Sequence, residues 1–206
     1  MADSWEIPRI WNGRCYALGG GRSLSEFDFN KLAGLNVVGC NDAYLLGAGI
    51  VPINCFGDAS WFTHYHKQDT SKYDGVLVTN APLTGEIPKY IKHCKRTDIH
   101  VKLTAEQNRL SWFSNTGVLA VELALKLGAT EIILLGYDMK APSVAENNWY
   151  TRRKADSSLK VYTRFMLKFK EFERQRQMLF PNAKIINANP DSALALYEKT
   201  KLESLL

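Results

Sequence analysis

"NTGVLAVELALKLGA" (115–129) runs directly into "TEIILLGYDM" (130–139), and this junction decides the fold. The first half is apolar almost all round, broken only by Glu122 and Lys126. A helix of that kind must be buried, here against a sheet. Glu122 and Lys126 stand four apart, so they are expected to pair on one exposed stripe. The second half is a continuous apolar run, which suits a strand covered on both faces.

The same alternation continues outward in both directions. "RCYALGG" (14–20), "NVVGCND" (36–42), "PINCFGD" (52–58) and "GVLVTN" (75–80) read as strands before the junction, and "AKIINA" (183–188) as a strand after it. Between them "SLSEFDFNKLAG" (23–34), "AYLLGAG" (43–49) and "ASWFTHYHKQDTSKYD" (59–74) read as helices. "IPKYIKHC" (87–94) reads as a helix, "DIHVKLT" (98–104) as a strand, 158–178 as a long basic helix, and a short helix is expected from Ser192. Strands alternating with helices imply a Rossmann-like, doubly wound α/β fold with a mainly parallel sheet. The expectation is a single domain over 1–206, with 140–178 forming a lid and the basic helix. The aperiodic stretch 140–157 is long for a structureless connection, and loops of that length are usually lids or disordered.

Composition narrows the classes. With 46% hydrophobic and 23% charged residues the chain is not a disordered one. It has no apolar run of membrane-spanning length. Its start lacks the basic-then-apolar pattern of a signal peptide, so a cytoplasmic location is expected. Four cysteines without a CxxC pair point to buried thiols rather than a metal centre, and no metal ligand set is assigned. The net charge of +5 is concentrated. Residues 152–176 hold nine Lys/Arg against three acids, which suits a nucleic acid or other polyanion, or equally the solvated face of an amphipathic helix.

Ligands of doubly wound sheets bind beyond the C-terminal strand ends. Five strand ends bring small or polar residues to one rim. The first supplies Gly19, Gly20, Gly21, Arg22 and Ser23; the second Asn41 and Asp42; the third Asp58; the helix start Asn115, Thr116 and Gly117; the strand after it Asp138. The glycines let backbone approach a phosphate, and Arg22 adds a charge, or the turn is only a corner. Asn115 and Thr116 also suit a helix cap. Asn41 and Asp42 equally suit a turn. Asp58 and Asp138 suit a ribose hydroxyl, a metal or a cap.

"GGGRSL" (19–24), "GCND" (39–42), "FGDAS" (56–60) and the block 114–139 resemble a family of nucleotide-binding transferases. It includes the bacterial sialyltransferases of glycosyltransferase family 42, which use CMP-sialic acid, the archaeal hydroxymethylpterin diphosphokinases, and phage and bacterial proteins. The resemblance covers 14–139, with an echo at "IINANPDSAL" (185–194). It implies that Gly19, Gly21 and Ser23 touch the nucleotide's phosphate side and that Asn41 contacts the nucleotide. Asn115, Thr116 and Gly117 would line its pocket, and Asp138 would stand beside the reacting centre. Two departures stand out. Gly20 and Arg22 replace the Asn and Pro of the sialyltransferases' G-N-G-P-S-L turn. The segment "NNWYTRRKADSS" (147–158) lacks the histidine that serves those enzymes as base. Tyr150 with Arg152 or Arg153, or else Asp138, would then take that role. His64 and His66 lie two apart, so at most one faces the pocket.

The expected function is transfer of a glycosyl group from a nucleotide-activated, CMP-sugar-like donor, with Arg22, Arg152 and Arg153 neutralising the departing phosphate. The alternatives are a catalytically weakened nucleotide- or nucleic-acid-binding module, and a phosphoryl transferase using Mg2+ at Asp58 or Asp138. No other cofactor is implied.

Overall fold

The computed structural model describes residues 4–97, 101–140, 148–150 and 159–206. Among them, eight strands form one sheet: β1 (Gly13–Leu18), β2 (Val37–Cys40), β3 (Ile53–Phe56), β4 (Val76–Thr79), β5 (Ile91–His93), β8 (Ala129–Leu135), β9 (Lys184–Asn187) and β10 (Glu198–Lys199). Their order is β10-β9-β8-β1-β2-β3-β4-β5, and every pairing is parallel. β6 (Lys95–Arg96) and β7 (Arg109–Leu110) form a small separate ribbon. The chain therefore winds outward from β1 to β5, then returns to β1's other edge to build β8 to β10. That reversal between β1 and β8 is the switch point where a doubly wound sheet opens a crevice.

Both faces of the central strands are apolar, for a reason visible in the pleat. Cys15, Ala17, Ile132 and Leu134 join one core cluster, while Tyr16, Leu18, Ile133 and Leu135 join the other. The small Cys15 and Ala17 let α3 (Thr116–Lys126) lie close over β1, β2, β3 and β8. α4 (Leu159–Leu179) adds Phe169 and Phe172 to the same face. All four cysteines are buried and unbridged, and burial pushes the Cys94 thiol up to about 12.

Glu122 and Lys126 do pair, at 3.4 Å, yet neither is exposed at all. The expected exposed stripe is covered by the chain around β7. Lys126 Nζ donates to the carbonyls of Glu106 (2.6 Å) and Arg109 (2.7 Å), and Glu122 Oε2 accepts from the Ser111 N–H (2.8 Å). Two charges thus replace the missing backbone partners of a buried loop.

Four local expectations are corrected. Residues 23–34 form two 3-10 turns, Arg22–Leu24 and Phe29–Leu32, because the Asp28 side chain accepts from the Asn30 N–H and restarts the chain there. Within 87–94 the structure has the edge strand β5, not a helix. Of 98–104, the described residues 101–104 are not strand. After Ser192 the chain continues into β10, because the Ser192 hydroxyl donates to Tyr137 O (2.6 Å) and accepts from the Leu194 N–H (3.0 Å). α1 (Ala59–Trp61) runs through a π-helical turn (Phe62–His66) into α2 (Lys67–Thr70). No helix among the described residues is long and apolar enough to cross a membrane.

Candidate functional site

A cavity of about 930 Å3 opens over the β1–β8 switch point. It collects most of the rim residues named from sequence: Gly19, Gly20, Gly21, Asn41, Asp42, Asp58, Asn115, Thr116, Gly117, Asp138 and Tyr150. Arg22 and Ser23 are exposed and do not line it. Arg152 and Arg153 lie outside the described residues, as does most of the expected lid.

The glycine turn is built differently from a phosphate cradle. Gly19 N–H donates to Leu135 O and Gly21 N–H to Gly136 O, both at 2.8 Å. Ser23 gives its N–H (2.9 Å) and its hydroxyl (2.5 Å) to the Asp138 carboxylate, which also accepts from Asn189 Nδ2 (2.8 Å). These bonds stitch the end of β1 to the end of β8, and they consume the amides expected to face a phosphate. Asp138, with three bonds on its two oxygens, acts as a positioning residue for the turn. No helix N-terminus follows the glycines either, since only a single 3-10 turn begins at Arg22. Residues 148–150 close over the turn: Trp149 Nε1 donates to Gly19 O (2.9 Å) and its N–H to Gly20 O (3.1 Å), with its ring 4.6 Å from Phe29.

The helix N-terminus in the cavity is that of α3. Asn115 caps it, its Oδ1 accepting from the Gly117 (2.8 Å) and Val118 (3.3 Å) N–H groups. This leaves Asn115 Nδ2, in a residue only 5% exposed, without a hydrogen-bond partner. Asn41 Oδ1 is likewise buried and unpartnered, while Asn54 Nδ2 fixes the Asn41 carbonyl (2.9 Å). Backbone strain gathers at the same rim. Among the described residues, the non-glycine residues with left-handed φ are Asn41 (+52°), Ser114 (+52°) and Met139 (+50°), and all three line the cavity.

Sequence reasoning missed the tryptophans at the rim. Trp112 lies over Gly57 so closely that a Cβ there would sit 2.0 Å from the ring. The Arg96 guanidinium stands 4.5 Å from the same ring and donates to Asn80 O (2.9 Å) and Gly57 O (2.7 Å). Burial draws the Arg96 pKa down, partly opposed by Asp58. Trp61 Nε1 donates to Asp42 (2.7 Å), and Asp58 Oδ1 caps α1 by accepting from the Ser60 N–H and hydroxyl, both at 2.9 Å. On the opposite side Tyr150, Tyr162, Phe165, Lys140 and Arg164 complete the lining. The only signal for the tryptophans was their place a few residues beyond strand-like runs.

No histidine lines the cavity among the described residues; His64 is exposed, with Nδ1 near Ser60 O (3.3 Å) and Thr63 Oγ1 (3.2 Å). No group of three His, Cys, Asp or Glu that could hold a metal occurs among the described residues. Along the basic helix, Arg174 pairs with Glu171 (2.8 Å), and Arg176 pairs with Glu173 (2.6 Å) while donating to Phe180 O and Ala183 O. Arg176, largely buried, and the core residues Phe169 and Phe172 hold α4 in place, while the Arg174–Glu171 pair lies on its exposed face.

No family model matches the chain, and no curated protein matches it in sequence. Solved structures do share its fold. The sialyltransferase CstII from Campylobacter jejuni, in complex with cytidine-5'-monophosphate, aligns with a TM-score of 0.50 at 15% identity, over 90% of this chain and 84% of that one. Sialyltransferase CST-II in complex with a trisaccharide acceptor and CMP gives 0.50 at 16% identity, over 90% and 84%. The MAf glycosyltransferase from Magnetospirillum magneticum AMB-1 gives 0.61 at 13% identity; it covers 98% of this chain, which spans 36% of that longer protein. At such identities the likeness is one of fold. The chain thus has an α/β, doubly wound fold shared with glycosyltransferases.

Proposed function

We propose that this chain is a glycosyltransferase that takes a nucleotide-activated sugar into the cavity at the β1–β8 switch point. The observation that carries the reading is the cavity itself, which opens at the switch point of the sheet and gathers Gly19, Gly21, Asn41, Thr116, Gly117 and Asp138 from the strand ends and the start of α3. The glycosyltransferase fold and the CMP bound to the CstII structures support the same reading. Charge suggests the orientation. Lys140 and Arg164 attract the phosphate, Tyr162 and Phe165 offer rings for the nucleoside, and the sugar extends toward the ends of β2 and β3. In the reaction an acceptor hydroxyl attacks the anomeric carbon, the bond to phosphate oxygen breaks, and the acceptor's proton passes to a base. Lys140 and Arg164, with Arg152 and Arg153 added, stabilise the charge left on the phosphate. Tyr150 takes the role of proton acceptor, because Asp138 is committed to Ser23 and Asn189.

The phosphoryl-transfer alternative would need Mg2+. Of the residues named for it, Asp138 already accepts three hydrogen bonds and Asp58 Oδ1 is a helix cap. The nucleic-acid alternative loses Arg176 of the basic segment to structural contacts.

The test is a thermal-shift series with CMP, UDP, GDP, ADP and ATP, with and without Mg2+. A ligand at a hundred times its dissociation constant adds about 2.7 kcal/mol to stability. One nucleotide family is expected to stabilise the protein without Mg2+, and Lys140→Ala to weaken that effect about tenfold in affinity, one charge-assisted hydrogen bond's worth. No shift with any nucleotide at millimolar concentration would refute the reading.

A further inference from the structure

Resting on the nucleotide-sugar reading, we propose that Trp149 is a positioning residue for that site. It pegs residues 148–150 across the glycine turn as a short antiparallel strap, and so fixes where Asn148 and Tyr150 meet the ligand. The three side chains alternate as they do along a strand. Asn148 and Tyr150 line the cavity, whereas Trp149 packs beside Phe29 on the core face that holds Tyr16 and Leu18. Gly21 and Asn148 form the antiparallel bridge between turn and strap.

The glycine turn is gripped from two sides. Its amides go to the end of β8, Gly19 N–H to Leu135 O and Gly21 N–H to Gly136 O. Its carbonyls face the strap: Gly19 O accepts from Trp149 Nε1 (2.9 Å) and Gly20 O from the Trp149 N–H (3.1 Å). Tryptophan suits this place because it joins a large apolar ring to a single N–H donor. The ring lies 4.6 Å from that of Phe29 while the N–H reaches Gly19 O. Gly20 lets the strap lie so close. A Cβ there would stand 2.8 Å from the Tyr150 hydroxyl oxygen and 3.0 Å from Asn148 Oδ1. The polar ends of both side chains thus rest on the face where a side chain of residue 20 would project. A turn that looks like a phosphate loop in sequence therefore serves the site as the seat of the strap, and the amide of Asn148 and the phenol of Tyr150 are the polar contacts it presents. β1 and β8 fix the turn, and the turn fixes Tyr150 through Trp149. Misplacing a reacting group by about 1 Å can cost about a hundredfold in rate, which is what such a peg prevents.

The test uses Trp149→Phe, which keeps a ring for Phe29 and removes the donor to Gly19 O. In the ligand-free protein, exchange of the residue 149 amide followed by NMR is expected to speed up about tenfold, one hydrogen bond's worth. Calorimetric titration with CMP, UDP, GDP, ADP and ATP is expected to show the wild type's nucleotide bound about tenfold more weakly. Asn148→Ala combined with Tyr150→Phe removes the two polar ends directly. Adding Trp149→Phe to that pair should weaken binding by no more than about twofold further, because the indole acts through them. A residue with a packing role alone would lower the melting temperature and leave the affinity untouched. That result, unchanged amide exchange, or losses that add in full in the triple variant overturns the inference while leaving the nucleotide site standing. Wild-type protein that binds none of the five nucleotides overturns the site and the inference together.

Discussion

Lys126→Met is expected to lower the free energy of unfolding by about 3–5 kcal/mol, the usual cost of removing one member of a buried ion pair. Lys126 and Glu122 are wholly buried, and together they satisfy two carbonyls and one N–H of the loop that ends at Trp112. Without the ammonium, the carbonyls of Glu106 and Arg109 lose their donor inside the protein. Denaturant melts at neutral pH measure the loss. The double variant Glu122→Gln with Lys126→Met should recover part of it, since no lone buried charge remains. A change below about 1 kcal/mol would mean that water reaches the pair.

The same pair sets a pH signature. Burial, only partly offset by Lys126, pushes the Glu122 carboxyl up to about 7 from 4.5. Between those values the folded protein holds a proton that the unfolded chain has released. The contribution of Glu122 is therefore full below pH 4.5 and is lost as pH rises through 7. Subtracting the stability of Glu122→Gln from that of the wild type should give a difference that falls across this window. A flat difference would contradict the burial argument.

Gly21→Ala is expected to cost about 3 kcal/mol, at the upper end for overpacking, and, on the proposed reading, to weaken nucleotide binding by distorting the cavity wall. A Cβ at Gly21 would stand 2.5 Å from Gly136 O and 2.6 Å from the Asp138 carboxyl carbon. Neither can retreat, because Gly136 O accepts from the Gly21 N–H and Asp138 is held by Ser23 and Asn189. Gly20→Ala is the control. Its Cβ would meet the Tyr150 hydroxyl at 2.8 Å and Asn148 Oδ1 at 3.0 Å, both ends of side chains. It should cost less than about 1 kcal/mol and affect ligand binding more than stability. Equal losses in the two variants would show that the β1–β8 stitching is not what requires glycine.

The central strands were legible because β1, β2, β3 and β8 are apolar on both faces, a pattern only a covered parallel sheet satisfies. The edge was not. Ile87, Tyr90, Ile91 and Cys94 have helical spacing, yet they belong to an edge whose pairing with β4 the sequence does not display. The rim was legible as a set of strand ends, and most of its residues do meet at the cavity. Their individual bonding was not legible. Gly19, Gly21 and Ser23 turned inward to Leu135, Gly136 and Asp138, partners more than a hundred residues away. Trp112 looks like a core residue in a linear reading but lines the rim, whereas Trp61 is a core residue that borders it. Glu122 and Lys126 show a spacing that predicts their pairing but says nothing of the loop laid over them.

The place of β1 in the sheet also governs how the chain emerges during synthesis. β1 to β4 can assemble on one side of β1 as soon as Thr79 has left the ribosome, but the strand for its other edge starts only at Ala129. At about 5–20 residues per second the intervening stretch of about fifty residues takes roughly 3–10 s to translate. Throughout that interval Tyr16 and Leu18 border an open hydrogen-bonding edge, the surface on which nascent polypeptides associate with one another. The crevice that makes the cavity is thus also the seam that waits longest for its second strand, and chains stalled before residue 129 leave it open.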